Sequence, residues 1–406
     1  MSNDENNIDH IEDTIIQDEN CEPETDNDYR FEVSSYGWDV DVEGLVKRMD
    51  RGDIFVPGFQ RGFVWSNSEK SRFIESLILG LPVPTIFLAK DSDTNKLNII
   101  DGQQRLKTLQ SYLNGKFSLS GLDIPTDLKN RYYSKRRSTH PRAKILEPVD
   151  ERTLSDAVIH AIVIKPNPKD DDDNLGKEYN KAIIQIFKRL NTSGKALTAQ
   201  EVRASIFYGS LLTLIQTINN EDENWRAMFG NMHSRMKDQE AILRAIALYK
   251  NGENYKASMP KFLDAFIEDN RNLNPLECQQ IEILFKSAVK IIREDLGDSA
   301  LKTGGTFILT RFDALVVSLM SILSDKIYKD VSEAINEARK LLGNKSVKDR
   351  LEDLNKDRRG LNEKGEEIPN ILDTQRGYLW SVDKFTNDTN RVLVRLRVSK
   401  EEFSKK

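Results

Sequence analysis

The chain has 406 residues, 38% of them hydrophobic and 31% charged, which is enough for two or three domains and too apolar for a wholly disordered polymer. Its formal charge of −5 hides a division: residues 1–29 hold eleven Asp and Glu and no Lys or Arg, leaving 54 acids against 60 bases in the rest. The two cysteines, Cys21 and Cys278, exclude a disulfide framework and a cysteine zinc site, and no apolar run or basic leader marks a membrane span or a secretory signal, so a cytoplasmic protein without membrane association is expected.

Residues 1–29 read as a disordered acidic tail, because so few apolar side chains cannot offset the entropy of ordering. A short helix is expected over Val40–Met49 and an extended segment, interrupted by Pro57, over Ile54–Phe59. Phe73, Ile74, Leu77 and Ile78 share one helical face within Glu69–Leu79, and Gly80 stands where that helix ends. Two short strands follow, Pro84–Ala89 and Leu97–Ile100, joined by a polar turn at Asp91–Asn95. Gln103–Leu113 has helical spacing and closes at Asn114-Gly115, and Ala157–Ile164 reads as a further strand before an Asp-rich loop.

After Glu178 helical periodicity dominates, with helices expected near 178–189, 198–218, 238–250, 274–294, 306–324 and 330–342. The apolar stretch Ala314–Leu323 is broken by serines and reads as a core helix. Asp349–Glu367 reads as a solvated, charged helix and loop. The fold class is therefore α+β: a small α/β domain over 30–165, a larger all-helical domain over 175–345, and a charged C-terminal helical/loop segment over 346–406.

The stretch richest in chemistry is Asp101-Gly102-Gln103-Gln104-Arg105, where a strand turns into a helix. A helix N-terminus offers backbone N–H groups and partial positive charge to an anion, and glycine lets a ligand approach the main chain. Arg105 has the fork that binds phosphate oxygens in pairs, and Asp101 has the carboxylate that holds a magnesium ion. The same spacing is equally consistent with Asp101 capping the helix and Arg105 lying on a solvated face. Upstream, Gln60 and Arg61 sit between Phe59 and Phe63, either facing the same cleft or, for Arg61, stacking on Trp65.

Together, Pro57–Trp65, Ile74-Glu75-Ser76-Leu77, Pro82-Val83-Pro84 and above all the Asp-Gly-Gln-Gln-Arg run at 101–105 resemble the N-terminal domain of GmrSD-type restriction endonucleases. Phe187–Arg203 and Asp238–Arg244 resemble that family's second and third motifs, which extends the likeness over roughly 38–320. The order of elements is also similar to the ParB/sulfiredoxin-like fold, whose corresponding turn binds nucleotide or phosphate. The resemblance implies a protein that binds and hydrolyses a nucleoside triphosphate with magnesium, in bacterial defence against foreign, modified or phage DNA. It places Asp101, Gln104 and Arg105 in the catalytic set, with Asp101 also on the metal. Gln60, Arg61, Gly102, Gln103, Arg105 and Asn191 would contact the nucleotide. Thr198 and Glu201 in the second motif also spell a capping box, which makes Glu201 structural.

Two-domain members carry a C-terminal HNH nuclease, which needs histidines. None follows His233 here, so this sequence is expected to lack an HNH centre and to rely on a separate nuclease or defence protein. Gly194-Lys195 and Lys345-Ser346 both depart from the P-loop pattern, through Ala196 and through Asn344 and Arg339. Seven cations within Lys129–Lys144, among them Lys135, Arg136 and Arg137, read either as a solvated stretch or as a contact to a DNA backbone with Tyr132 and Tyr133 stacking on bases. Two further functions therefore stand beside the nucleotide reading: a non-enzymatic DNA-binding adaptor, and a metal-dependent nuclease centred on Asp101.

Overall fold

The computed structural model describes residues 33–55, 65–91, 94–122, 127–134, 144–166, 174–190, 198–369, 371–382 and 386–405. The expected tail, the segment holding Gln60 and Arg61, the turn holding Asn191 and the cations Lys135, Arg136 and Arg137 lie outside them. Of the described residues, those up to Ile206 form one unit and those from Phe207 on form another.

The first unit is built on a five-stranded sheet of β1 (Val33–Asp41), β2 (Ile54–Phe55), β3 (Ile86–Lys90), β4 (Leu97–Asp101) and β7 (Val158–Pro166), in the order β1-β7-β3-β4-β2. β1 pairs antiparallel with β7 and β3 antiparallel with β4, while β3 and β7, and β2 and β4, run parallel. Alternation decides the two faces. Ile86, Leu88, Ile99, Ile159, Ala161 and Val163 point into one buried core. That core is completed by α1 (Val42–Asp50), α2 (Asn67–Ile78), α3 (Gln103–Leu113) and α4 (Pro148–Asp156), which contribute Leu45, Ile74, Leu109 and Leu154 among others. Ala89, Ile100 and Ile164 are buried too but lie outside that cluster. Beside Ala89 and Ile100 lie Ile183 and Phe187 of α5 (Asn174–Leu190) and Ile206 of α6 (Ala199–Ile206).

Local chemistry sets the helix ends. Asp41 accepts from Gly44 N at 2.6 Å to start α1, so Val40 and Asp41 end a strand where the sequence suggests a helix. Ser66 and Glu69 form a reciprocal capping box at α2, and Gly80 stops that helix at φ +69°. Short pairs at β5 (Arg131–Tyr132) and β6 (Lys144–Ile145) run parallel.

The second unit is helical: α7 (Ser210–Glu221), α8 (Glu223–Phe229), α9 (Lys237–Asn251), α10 (Met259–Asp269), α11 (Pro275–Leu296), then a small hairpin of β8 (Lys302–Thr303) and β9 (Thr306–Phe307). The helix expected over 198–218 is two helices. Gly209 lies against the Arg271 carbonyl, where a Cβ would sit 2.3 Å from the oxygen, and a new helix starts at Ser210. The helix expected from 306 begins at Leu309, because Gly304 and Gly305, both at positive φ, turn the hairpin first. From there α12 runs as Leu309–Phe312, a π turn over Asp313–Val317 and Ser318–Ile322. It is followed by α13 (Val331–Leu342), α14 (Val347–Lys356), α15 (Tyr378–Ser381) and α16 (Thr389–Ser404). The Trp225 ring, fully buried, packs on Phe229, Phe285, Phe307 and Phe312 at 5.1–5.9 Å. Among the described residues no helix is long and apolar enough to cross a membrane.

Candidate functional site

The corner between β4 and α3 brings together five of the residues singled out in the sequence. β4 carries a bulge just before it: Phe87 faces Asp101 while Leu88 faces Ile99, so Ile100 is the extra residue. Gly102 then turns the chain at φ +96°, a left-handed conformation that suits glycine. A side chain there has no room, since a Cβ would stand 2.4 Å from Ile86 Cγ2.

Gly102 is the N-cap of α3 and provides no side-chain cap. Asp101 does not fill that role either. Its carboxylate instead accepts from Arg105 Nη2 at 2.5 Å, one helical turn on. Arg105 Nη1 also donates to the carbonyls of Pro84 and Thr85, the latter at 3.2 Å, on the segment leading into β3. The Arg105 side chain is 13% exposed against 34% for Asp101, so it is not on a solvated face. The guanidinium is folded under the corner and the carboxylate is the more open partner. Gln103, the first residue of α3, has its side-chain Nε2 buried and without a hydrogen-bond partner among the described residues.

The arrangement offers a polyphosphate helix N–H groups without an N-cap side chain, a buried amide donor and one partly exposed carboxylate, while Gly102 is itself buried and its missing side chain makes room for Ile86. It does not make a metal site alone. Among the described residues there is no group of three or more His, Cys, Asp or Glu that could hold a metal ion. One carboxylate does fit magnesium that arrives on nucleotide phosphates and keeps much of its water.

The family model for the GmrSD restriction endonuclease N-terminal domain matches residues 42–208, from the first residue of α1 to two residues beyond α6. This region is a GmrSD N-terminal domain. No curated protein and no solved structure matches the chain.

The match to the GmrSD N-terminal domain takes in the whole Asp101–Arg105 corner and stops short of Asp238–Arg244. Those later residues serve the helical unit's interior. Asp238 is buried and accepts from Asn219 Nδ2 and Arg226 Nη1, both at 3.0 Å, and Arg244 chelates the buried Asp313. Within the domain, Thr198 N donates to Glu201 Oε2 at 2.6 Å and Glu201 N to Thr198 Oγ1 at 3.2 Å, the capping box expected there.

Two described residues of the basic stretch are engaged within the domain, while Lys129 and Lys144 are exposed. Arg131 donates to Glu147 at 2.7 Å, to the Ile145 carbonyl at 2.6 Å and to Asp127. Tyr133 is a core residue, 8% exposed, with its hydroxyl 2.7 Å from Ser155 Oγ and its ring edge-on to Tyr112, so it does not stack on bases. Trp65, a candidate partner for Arg61, meets Phe73 edge-on at 5.6 Å.

Sequence reasoning missed Lys107, one turn below Gln103 on the same face of α3. Burial pushes its ammonium below the ordinary lysine value, and no carboxylate pairs with it among the described residues. The spacing from Gln103 was legible, but half-burial of a lysine was not. Also unforeseen was an open groove of about 850 Å³ in the helical unit, bordered by Tyr249, Ser318, Leu393 and Arg397. Its lining mixes Lys250, Arg397 and Lys400 with Glu253, Asp373 and Glu401, which favours neither sign of charge.

Proposed function

We propose that the GmrSD N-terminal domain of this chain binds and hydrolyses a nucleoside triphosphate at the β4–α3 corner, as part of a restriction-type defence against foreign DNA. The observation that supports this reading is the start of α3: an eleven-residue helix opens behind the left-handed Gly102 with no capping side chain on its first-turn N–H groups and with the Asp101 carboxylate partly exposed beside them. Such N–H groups suit phosphate.

In this reading the first-turn N–H groups and the Gln103 amide take phosphate oxygens, and Asp101 faces the magnesium that the nucleotide brings. Gln104 orients the attacking water. The water oxygen bonds to the γ-phosphorus as the bond to the β–γ bridging oxygen breaks, releasing nucleoside diphosphate and inorganic phosphate, with the water's proton passing to a phosphate oxygen. Gln60, Arg61 and Asn191 are the further candidates for the nucleotide. Cutting of DNA falls outside this domain.

A thermal-shift screen of the full chain with ATP, GTP, CTP and UTP, with and without magnesium, tests the binding, because a ligand selective for the native state raises its melting temperature. One nucleotide is expected to raise it in the presence of magnesium and to release phosphate on incubation. No shift with any of them would refute the reading.

A further inference from the structure

We infer that Arg105 is a positioning residue: it acts on the ligand through Asp101 and the Pro84–Thr85 carbonyls and does not itself hold phosphate. The inference rests on the nucleotide reading above and reverses the role that an arginine beside a phosphate corner invites.

Three observations on the corner agree. Nη1 donates to the carbonyls of Pro84 and Thr85 and Nη2 donates to Asp101 Oδ2, so three of the five guanidinium hydrogens are engaged within the corner. The guanidinium is largely covered, while the carboxylate it holds is the more exposed of the two. Finally, the position where a Gly102 Cβ would stand is 3.5 Å from Arg105 Nη2 and closer still to Ile86, which puts the guanidinium on the packed side of the corner.

A phosphate that took the Nη2 hydrogen now on Asp101 would have to expel a carboxylate already 2.5 Å away and leave that carboxylate without its cation. A ligand that left the pair intact would meet Asp101 first, with one carboxylate oxygen engaged and its direction fixed. Arg105 thus joins three pieces of chain, the end of β4, the first turn of α3 and the approach to β3, and sets the carboxylate for the magnesium nucleotide.

The test is a double-mutant cycle on the full chain, using the magnesium nucleotide that shifts the wild type most, with affinity read by calorimetry. Folding of each variant is verified by circular dichroism. Arg105→Ala is expected to weaken binding about 10-fold in the wild-type background and less than about 2-fold once Asp101→Asn is present, the signature of two residues acting as one. An equal loss in both backgrounds would show a direct phosphate contact and overturn the inference. If Arg105→Ala does not fold, Arg105→Lys runs the same cycle, since an ammonium cannot bridge a carboxylate and two carbonyls as a guanidinium does.

If Asp101→Asn binds too weakly to complete the cycle, nitrogen NMR of the arginine side chains in nucleotide-saturated wild type decides. No coupling between an Arg105 nitrogen and phosphorus is expected, and such a coupling would overturn the inference. Additive losses in a wild type that binds nucleotide sink this inference alone. A wild type that binds none sinks the proposed function and this inference with it.

Discussion

Arg105 and Asp101 meet at 2.5 Å across the corner where β4 becomes α3, and the arginine is the more buried partner. The pair closes the turn from beneath, leaving Gly102 at its apex. Because the carboxylate is 34% exposed, water replaces much of what it loses when its charge is removed. Asp101→Asn is therefore expected to cost no more than about 1 kcal/mol of stability, the range of partly exposed ion pairs. Urea unfolding of the unliganded protein checks this. A loss above about 3 kcal/mol would mean that the pair behaves as a buried one.

Gly102→Ala should be far more damaging than its single methyl group suggests. Two effects add: the left-handed backbone costs an L-residue about 1–2 kcal/mol, and the new Cβ meets Ile86 Cγ2 at 2.4 Å on a side chain that is 1% exposed. Overpacking of that kind costs about 1–3 kcal/mol. The expected total of about 2–5 kcal/mol is to be read by chemical denaturation. A variant as stable as wild type would show that the corner is looser than its geometry states.

The corner itself was legible in the sequence, and so were α2, α3, β3 and β4, because Gly80, Gly102 and Gly115 punctuate segments with clear periods. What stayed hidden has a common cause. β1 is an edge strand whose residues Ser35, Tyr36, Gly37 and Asp39 are exposed or half-buried, so it shows no alternation of apolar and polar side chains to read. Within the C-terminal helical/loop segment the bounds and buried face of α16 stayed hidden for the opposite reason: that face includes Arg391, Arg395 and Glu402, and charged residues at core positions erase the amphipathic stripe. The role of Arg105 was equally out of reach, since its carbonyl partners lie some twenty residues upstream, at Pro84 and Thr85.

Those core arginines lead to a prediction about the helical unit. Asp313, fully buried in the π turn of α12, accepts from Arg244 at 2.6–3.1 Å and from Arg395 at 2.9 Å. One carboxylate thus serves two guanidinium groups and ties α9, α12 and α16 together. Asp313→Ala would leave both cations buried without it, and removing one partner from a buried ion cluster costs about 3–5 kcal/mol. Soluble yield and melting temperature should both fall, with the loss of helical circular dichroism coming at lower temperature than in wild type. A melting temperature within a degree or two of wild type would contradict this account.

Lys107 gives a prediction whose sign depends on pH. Its ammonium is half-buried, and desolvation lowers its pKa from the ordinary 10.5. At neutral pH both folded and unfolded chains hold the proton, so the cost of burying the charge is present in full. Between the lowered value and 10.5 the unfolded chain binds more protons than the folded one, and stability contributed at this site rises with pH. Lys107→Met keeps the unbranched shape and a comparable helix propensity while removing the charge. The variant is expected to melt higher than wild type at pH 7, and its advantage should shrink steadily as pH is raised toward 10.5. Melting curves of both proteins across that range decide the matter. A variant that melts lower at pH 7, by a margin that does not change with pH, would mean that the lysine has a stabilising contact and that burial is not what governs its proton.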